Sequence, residues 1–372
     1  MQRFAVAELF DGENWHQQVE VIVEAGVIQQ IQPTANAVMA GALVPGFIDL
    51  QVNGGGGVLF NTAPELATLA KMMHAHSQFG TTAMLPTLIT DDLGVMQQSA
   101  DVIAAAIAQN MPGILGVHFE GPHLSVPKKG VHPEQHIRAL SEQELALYSR
   151  TDLGIRLLTV APENVTPEQI SQLTAAGVLV WLGHSNADAK TVQQALAAGA
   201  CGFTHLYNAM SPLTSREPGM VGVALTDPHS WCGLIFDGLH MHPLAAKLAL
   251  LAKPKGKALI VTDAMSPVGT TDKEFAFFSG KVIRDGNKLT NEAGALAGSV
   301  LDMAAAIRYA ITTLDVTPAE ALRMASLYPA EALGIAAQRG RLLPGYAADF
   351  VLLDPHWGVQ NCWIAGNAQC SN

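Results

Sequence analysis

The sequence is poor in charged residues, and positive charge is especially scarce. Its 372 residues include 21 lysines and arginines against 32 aspartates and glutamates, which gives a formal net charge of -11. This balance excludes nucleic acid and anionic membrane surfaces as the main partner, because both require basic patches. An anionic small-molecule substrate would therefore need a pocket that is positive locally.

Cysteine is also scarce, and long apolar runs are missing. No two of the cysteines Cys201, Cys232, Cys362 and Cys370 have the spacing of a metal-binding pair, and a chain of this length does not need a disulfide framework. The N-terminal residues Met-Gln-Arg-Phe-Ala-Val lack the apolar core of a signal peptide, and no stretch is long enough to span a bilayer. We therefore expect a soluble cytoplasmic protein without a membrane partner.

Hydrophobic residues, in contrast, make up 49% of the chain, which is enough for a large buried core. Residues 3–32 contain short alternating apolar runs separated by turns, a pattern typical of antiparallel strands. Residues 350–364 repeat this pattern near the other end of the chain. The two ends therefore predict one small β domain, built from residues 1–45 and 336–372.

Between these ends, residues 46–335 alternate apolar strands with helical segments rich in Ala, Leu, Gln and Glu. Eight strands in this pattern favour an α/β fold, a closed (β/α)8 TIM-like barrel, with the small domain as a β-sandwich beside it. Residues 270–297 interrupt the alternation and predict a β-hairpin insertion. The predicted barrel strands are residues 43–52, 82–88, 114–119, 156–160, 178–182, 202–205, 232–236 and 258–262.

Residues suited to chemistry follow almost every predicted strand. In a barrel of this kind the active site lies at the carboxyl ends of the strands, so these side chains should gather at one rim. His184 and His205 end strands five and six, and two imidazoles on adjacent strands suit a divalent metal such as zinc. The other strand ends carry Asp49, Gln51 and Asn53 on strand one, His118 and Glu120 on strand three, Asp237 and His240 on strand seven, and Asp263 on strand eight.

Together these motifs resemble the metal-dependent amidohydrolase superfamily, and within it the family of N-acetylglucosamine-6-phosphate deacetylases. The resemblance covers essentially the whole chain, including the split β domain. It implies hydrolysis of the N-acetyl group of N-acetylglucosamine 6-phosphate to glucosamine 6-phosphate and acetate, in amino-sugar catabolism. The matching motifs are residues 45–49, 54–57, 85–87, 118–122, 183–185, 204–210, 216–219, 237–240 and 262–264.

The resemblance also implies roles for individual residues. Glu120, His184 and His205 would ligate one divalent metal ion, with zinc favoured over iron, manganese or cobalt. Asp263 would act as general base and then as general acid, and His132 would polarise the substrate carbonyl or bind the sugar. The expected substrate contacts are Val131, His132, Asn208, Ala209, Arg216, Asp237, His240, Leu296, Ala297 and Gly298.

Arg216 is the predicted anchor for the substrate phosphate, and it also bears on the oligomeric state. A guanidinium group matches phosphate oxygens in a bidentate way, so it is a suitable anchor for a sugar phosphate. In the family that the chain resembles, this arginine can reach the phosphate bound by the neighbouring subunit. The resemblance therefore implies a homodimer or a higher homo-oligomer.

Gln51 and Asn53 depart from the superfamily pattern, in which most members carry His-x-His at the end of strand one to ligate a second metal. Amides are poor ligands for transition metals compared with imidazole. We therefore predict one metal ion per chain, with Gln51 and Asn53 at the vacated second-metal position.

Three alternatives stay open: the same chemistry on N-acetylgalactosamine 6-phosphate, a cyclic-amide hydrolase or deaminase of the same superfamily, and a non-catalytic scaffold with the amidohydrolase fold.

Overall fold

The computed structural model describes residues 1–36 and 39–369, so Cys370 lies outside the described residues. The strands are β1 (Gln2–Phe10), β2 (Trp15–Glu24), β3 (Val27–Pro33), β4 (Met39–Pro45), β5 (Phe47–Val52), β6 (Gly54–Gly55), β7 (Val58–Leu59), β8 (Thr81–Ile89), β9 (Gly116–Glu120), β10 (Ile155–Val160), β11 (Leu179–Leu182), β12 (Gly202–Phe203), β13 (Trp231–Leu234), β14 (Ala258–Ile260), β15 (Glu274–Phe277), β16 (Gly280–Asp285), β17 (Lys288–Asn291), β18 (Phe350–Leu353), β19 (Val359–Ile364) and β20 (Asn367–Ala368). The helices are α1 (Leu66–Ser77), α2 (Leu93–Ala108), α3 (Glu142–Tyr148), α4 (Pro167–Ala175), α5 (Ala189–Ala197), α6 (Gly219–Thr226), α7 (Pro243–Ala252), α8 (Met303–Thr312), α9 (Pro318–Ala325) and α10 (Leu327–Ala332).

A seven-stranded sheet combines both ends of the chain, in the order β20-β19-β18-β4-β1-β2-β3. Strand β4 joins the two ends, because it pairs parallel with β1 and antiparallel with β18, where Pro45 lies opposite Phe350. The sheet has its own apolar core, in which the rings of Phe350 and Trp363 lie 4.9 and 5.5 Å from the ring of Phe4. The prediction of a small β domain formed by both chain ends is confirmed.

The eight barrel strands β5 and β8–β14 follow one another around a parallel sheet in chain order. The first and last strands meet through backbone hydrogen bonds: the Asp263 N–H donates to the Gln51 carbonyl at 3.0 Å, and the Asn53 N–H donates to the Ala264 carbonyl at 2.9 Å. The strands are almost wholly buried, as expected where helices cover the outer face and side chains fill the interior. The TIM-like barrel is confirmed.

Two predicted elements are divided in the structure. The apolar run 43–52 breaks at Gly46, between β4 of the terminal sheet and β5 of the barrel. A Cβ atom at Gly46 would lie 2.1 Å from Thr82 Oγ1, so the chain passes from one sheet to the other only because the side chain is absent. The helical segment 318–332 is likewise two helices, α9 and α10, which meet at the non-helical backbone of Ser326.

The predicted insertion forms a separate antiparallel sheet of three strands, β15, β16 and β17. Its residues Phe277, Val282 and Leu289 pack against Leu59, which lies after strand one of the barrel, and Ile89, which ends strand two. The insertion therefore lies beside the carboxyl ends of the barrel strands. Among the described residues, none of the helices is both long and apolar enough to cross a membrane.

Candidate active site

The three predicted metal ligands meet at the carboxyl ends of the barrel strands. Glu120 ends β9, and His184 and His205 follow β11 and β12. The Nε2 atom of His205 lies 3.0 Å from Glu120 Oε1 and 3.0 Å from His184 Nε2, and the Nε2 atom of His184 lies 3.3 Å from Glu120 Oε1. All three side chains are buried, and one ligand atom of each lies within 4.8 Å of the others.

The surroundings of this cluster fit a divalent cation. His184 Nδ1 lies 2.9 Å from the backbone carbonyl oxygen of Lys128, so Nδ1 carries the proton and Nε2 presents its lone pair to the cluster. Burial alone would raise the pKa of Glu120, but its polar contacts with His184 and His205 hold that pKa well below its ordinary value. Two imidazoles and one carboxylate form a donor set that suits zinc and leaves an open position.

His184, His205 and Asp263 share a backbone conformation that is rare for residues with a side chain. Their φ angles are 47°, 32° and 53°, in the left-handed region. Such a conformation costs about 1–3 kcal/mol per residue and persists only where the surrounding structure enforces it. Each of the three lies at the end of a barrel strand, where this turn directs the side chain into the mouth of the barrel.

The Asp263 carboxylate receives two amide hydrogen bonds from strand one. Asn53 Nδ2 donates to Asp263 Oδ1 at 2.7 Å, and Gln51 Nε2 donates to the same oxygen at 3.2 Å and to Glu120 Oε1 at 3.0 Å. A carboxylate can only accept, so both amides direct their N–H groups, not their carbonyl oxygens, at the acidic pair. Burial, followed by the charge of Glu120, raises the pKa of Asp263 to about 6.

His132 lies in the loop after β9 and reaches the same site. Its ring centroid is 4.4 Å from that of His184, and its Nδ1 atom lies 2.8 Å from Thr90 Oγ1. Burial, with a further contribution from the charge of His184, lowers the pKa of His132 to about 3, so the imidazole is neutral. Nothing in the sequence singles out Thr90, because its contact joins two segments that are 42 positions apart.

These side chains line a pocket with a volume of about 160 Å³. The pocket also brings together most of the predicted substrate contacts: Val131, His132, Asn208, Ala209, His240, Leu296 and Gly298. Four further wall residues were not predicted: Ile89, Gly130, Met265 and Phe277. Phe277 comes from the insertion, where the apolar segment Phe-Ala-Phe-Phe at residues 275–278 was the available sequence signal.

Three predicted contacts lie outside the pocket wall of their own chain. Asp237 lies behind His240 and accepts a hydrogen bond from His240 Nδ1 at 2.6 Å, so it fixes the imidazole instead of facing the pocket. Ala297 is fully buried behind its neighbours. Arg216 is exposed, on the loop between β12 and α6.

Comparison with known proteins agrees with this geometry. Residues 42–369 match the amidohydrolase family. The N-acetylgalactosamine-6-phosphate deacetylase of Shewanella sp. (strain ANA-3) is 57% identical over 327 residues, 88% of this chain and 83% of that protein. The N-acetylglucosamine-6-phosphate deacetylase of Bos taurus is 38% identical over 341 residues, 87% of this chain and 82% of the bovine protein. The crystal structure of N-acetylglucosamine-6-phosphate deacetylase from Pasteurella multocida matches with a TM-score of 0.95 and 33% identity over 100% of both chains. This chain therefore belongs to the amidohydrolase family.

Proposed function

We propose that the chain is an enzyme that hydrolyses the N-acetyl group of N-acetylglucosamine 6-phosphate, releasing glucosamine 6-phosphate and acetate. The observation that carries this proposal is a single pocket in which the cluster of Glu120, His184 and His205 meets Asp263. Amide hydrolysis requires this combination of an electrophilic centre and a group that transfers protons. The names of the bovine and Pasteurella relatives supply the substrate.

The cluster would hold one divalent metal ion per chain, with zinc as the first candidate and iron, manganese or cobalt as alternatives. A bound ion would polarise the amide carbonyl and lower the pKa of a water molecule towards neutrality. The amide N–H groups of Gln51 and Asn53 support a single ion, because they already stabilise the acidic pair of Glu120 and Asp263. A second cation would have to displace these donors and would gain only neutral amide oxygens in their place.

Asp263 would carry out the proton transfers. It would accept a proton from the attacking water and donate it to the nitrogen as the C–N bond breaks, because an unprotonated amine leaves poorly. Even with its pKa raised by burial, the carboxylate is ionised at neutral pH, as the first of these steps requires. Neutral His132 faces the same space and would donate a hydrogen bond to the acyl carbonyl oxygen.

The sugar phosphate would lie on the side of the pocket formed by strands six and seven. Asn208 and the backbone N–H of Ala209 follow strand six, and His240 follows strand seven. Asp237 holds Nδ1 of His240, which leaves Nε2 for the substrate. Arg216 makes no hydrogen bond or ion pair with the described residues of its own chain, which agrees with a role at the phosphate of a second subunit.

The exposed surface next to this region supports a homodimer. Helix α7, directly after the His240 loop, exposes 71% of Leu244, 50% of Leu248 and 84% of Leu251. These positions are spaced four and three residues apart, so they form one apolar stripe along the helix. The Arg216 loop itself exposes 50% of Leu213. We propose that a second copy of the chain covers these leucines and that Arg216 then contacts the phosphate in the partner's pocket.

Mixing two defective variants tests whether Arg216 acts across the interface. In a mixed dimer of Arg216→Ala and Asp263→Asn chains, one of the two sites would keep both an intact Asp263 and an intact arginine from its partner. The mixture should therefore regain activity at low substrate concentration that neither variant shows alone. Arg216 acts within its own chain if the mixture stays as weak as its parents.

N-Acetylgalactosamine 6-phosphate is a second candidate substrate, because the Shewanella relative that is 57% identical is named for it. The two sugars differ only in the configuration of one hydroxyl group. The ratio of their kcat/KM values would decide between them.

Acetate release from four sugars would test the proposed reaction: the two N-acetylhexosamine 6-phosphates and their unphosphorylated forms. We expect preference for the phosphorylated sugars. The Asp263→Asn variant should keep its metal and lose roughly a hundredfold or more in kcat. If none of the four sugars released acetate, the proposal would fail, and a non-catalytic scaffold would become the better hypothesis for the function of this chain.

A further inference from the structure

A second cavity adjoins the catalytic pocket and has no role in the reaction described so far. Its volume is about 210 Å³, compared with about 160 Å³ for the catalytic pocket. Asn53, Ile89 and Phe277 line both cavities, and Leu59 and Phe278 extend the wall of the second. It lies between the three-stranded insertion and the ends of strands one and two.

The lining of this cavity suits an uncharged, apolar group. Leu59, Ile89 and Phe277 are buried members of one apolar cluster. Two of the polar side chains at its edge already have partners, since Asn61 Nδ2 donates to Asp91 Oδ2 and to the carbonyl oxygen of Ile89, both at 2.9 Å. The Asp91 carboxylate disfavours an anion there, so a phosphate or a carboxylate would not bind.

The proposed orientation of the bound substrate places its acyl group next to this cavity. The proposed phosphate and sugar contacts Asn208, Ala209 and His240 follow strands six and seven. Asn53, which follows strand one, and Ile89, which ends strand two, lie across the barrel mouth. The carbonyl carbon has to lie between them, at the metal ligands and Asp263. The amide nitrogen bonded to this carbon then faces the proposed sugar contacts, and the alkyl group bonded to it faces the second cavity.

We infer that the second cavity is an acyl chamber, and that the enzyme hydrolyses N-propionyl and N-butyryl hexosamine 6-phosphates as well as the N-acetyl compound. The inference rests on the proposed function and extends its substrate class. The reaction is the same hydrolysis: one water is consumed, the C–N bond breaks, and propionate or butyrate leaves together with the free amine. If the pocket wall were closed at this point, each methylene added to the acyl group would lower kcat/KM by roughly 10-fold or more.

The test measures free amine release from the N-acetyl, N-propionyl and N-butyryl forms of glucosamine 6-phosphate. For the unchanged enzyme we expect kcat/KM values within about tenfold of one another. The Ala276→Trp variant should fill the chamber, because Ala276 lines it from an exposed position on β15. This variant should lose about a hundredfold on the butyryl substrate and stay within about threefold on the acetyl substrate.

A control and a second variant keep the test decisive. Lys288→Trp places the same side chain at an exposed site of the same insertion, outside the walls of both cavities, and should leave the hydrolysis of all three substrates unchanged. Thr62→Trp fills the chamber from another wall and should act like Ala276→Trp. The inference is overturned if the unchanged enzyme rejects the butyryl substrate while it hydrolyses the acetyl one, or if both filling variants affect the two substrates equally. Failure of the proposed function would look different, since no amine would be released from any of the three.

Discussion

Replacing Asn53 by alanine would test how the strand-one amides tune Asp263, the proposed general base and acid. Asn53 Nδ2 donates to Asp263 Oδ1 at 2.7 Å, and this hydrogen bond favours the ionised carboxylate. A hydrogen bond to a charged group contributes about 1.5–3 kcal/mol, and one pKa unit corresponds to about 1.4 kcal/mol. Removing the bond should therefore raise the pKa of Asp263 by about one to two units above its value in the unchanged protein.

The raised pKa of Asp263 should change the pH dependence of the reaction in one direction. Asp263 must be ionised to accept a proton, so activity falls as the pH drops through its pKa. The acidic limb of the kcat profile should move to higher pH in Asn53→Ala, by about one to two units. A bound cation lowers the pKa of Asp263 in both proteins, so the prediction concerns the difference between two metal-replete profiles.

Asn61→Ala is the matched control, because it removes an amide that contacts Asp91 in the neighbouring cavity and has no contact with Asp263. Its acidic limb should coincide with that of the unchanged protein. The reasoning would be refuted if Asn53→Ala lowered the whole profile without moving its acidic limb. Asn53 would then shape the site without influencing the proton affinity of Asp263.

Three further predictions concern the metal, the loop histidine and the stability of the fold. Elemental analysis should find one metal equivalent per chain, lost in His184→Asn but kept in Gln51→Ala; two equivalents, with activity that follows the second, would contradict the single-ion site. Thr90→Val should lower kcat about tenfold with little change in KM, and Thr90→Ser should restore it, because the hydroxyl group holds His132 Nδ1; equal losses in both variants would mean that Thr90 matters for packing alone. Burial lowers the pKa of His76 from 6.5 to about 4, so the stability that neutral His76 contributes is present above pH 6.5 and is lost as the pH falls towards 4. His76→Gln should therefore reduce the drop in the free energy of unfolding between pH 7 and pH 5 by about 2 kcal/mol in urea titrations, and an unchanged drop would assign the acid sensitivity to other groups.

The barrel, and the gathering of chemically suited side chains at one rim, could be predicted from local patterns. Each predicted barrel strand is a short apolar run bounded by turns and followed by a helical segment, and parallel strands place their carboxyl ends at one rim. Glu120, His184 and His205 directly end such runs, so the topology alone brings them together. The position of the candidate ligand cluster therefore required no knowledge of side-chain packing, whereas the choice of Glu120 as the third ligand came from the family resemblance.

The features that the sequence did not predict depend on contacts between distant segments. Residues 43–52 are apolar on both sides of Gly46, because two different sheets bury them, so the hydrophobic pattern contains no break there. The direction of the Asn53 amide is set by Asp263, 210 positions away. Phe277 reaches the pocket only because the insertion folds back over the barrel. In each case the deciding partner is absent from the local sequence.

The sheet that both chain ends share also constrains the order in which the molecule can be completed on the ribosome. Strand β4 can pair with β1 early, but its other edge must wait for β18, since Pro45 pairs with Phe350 about 300 residues later. At about 5–20 residues per second, the ribosome needs roughly 15–60 seconds to deliver that strand. During this interval β4 presents an open edge of the kind that invites pairing with another chain. Nascent chains should therefore depend on chaperones until the last three strands emerge.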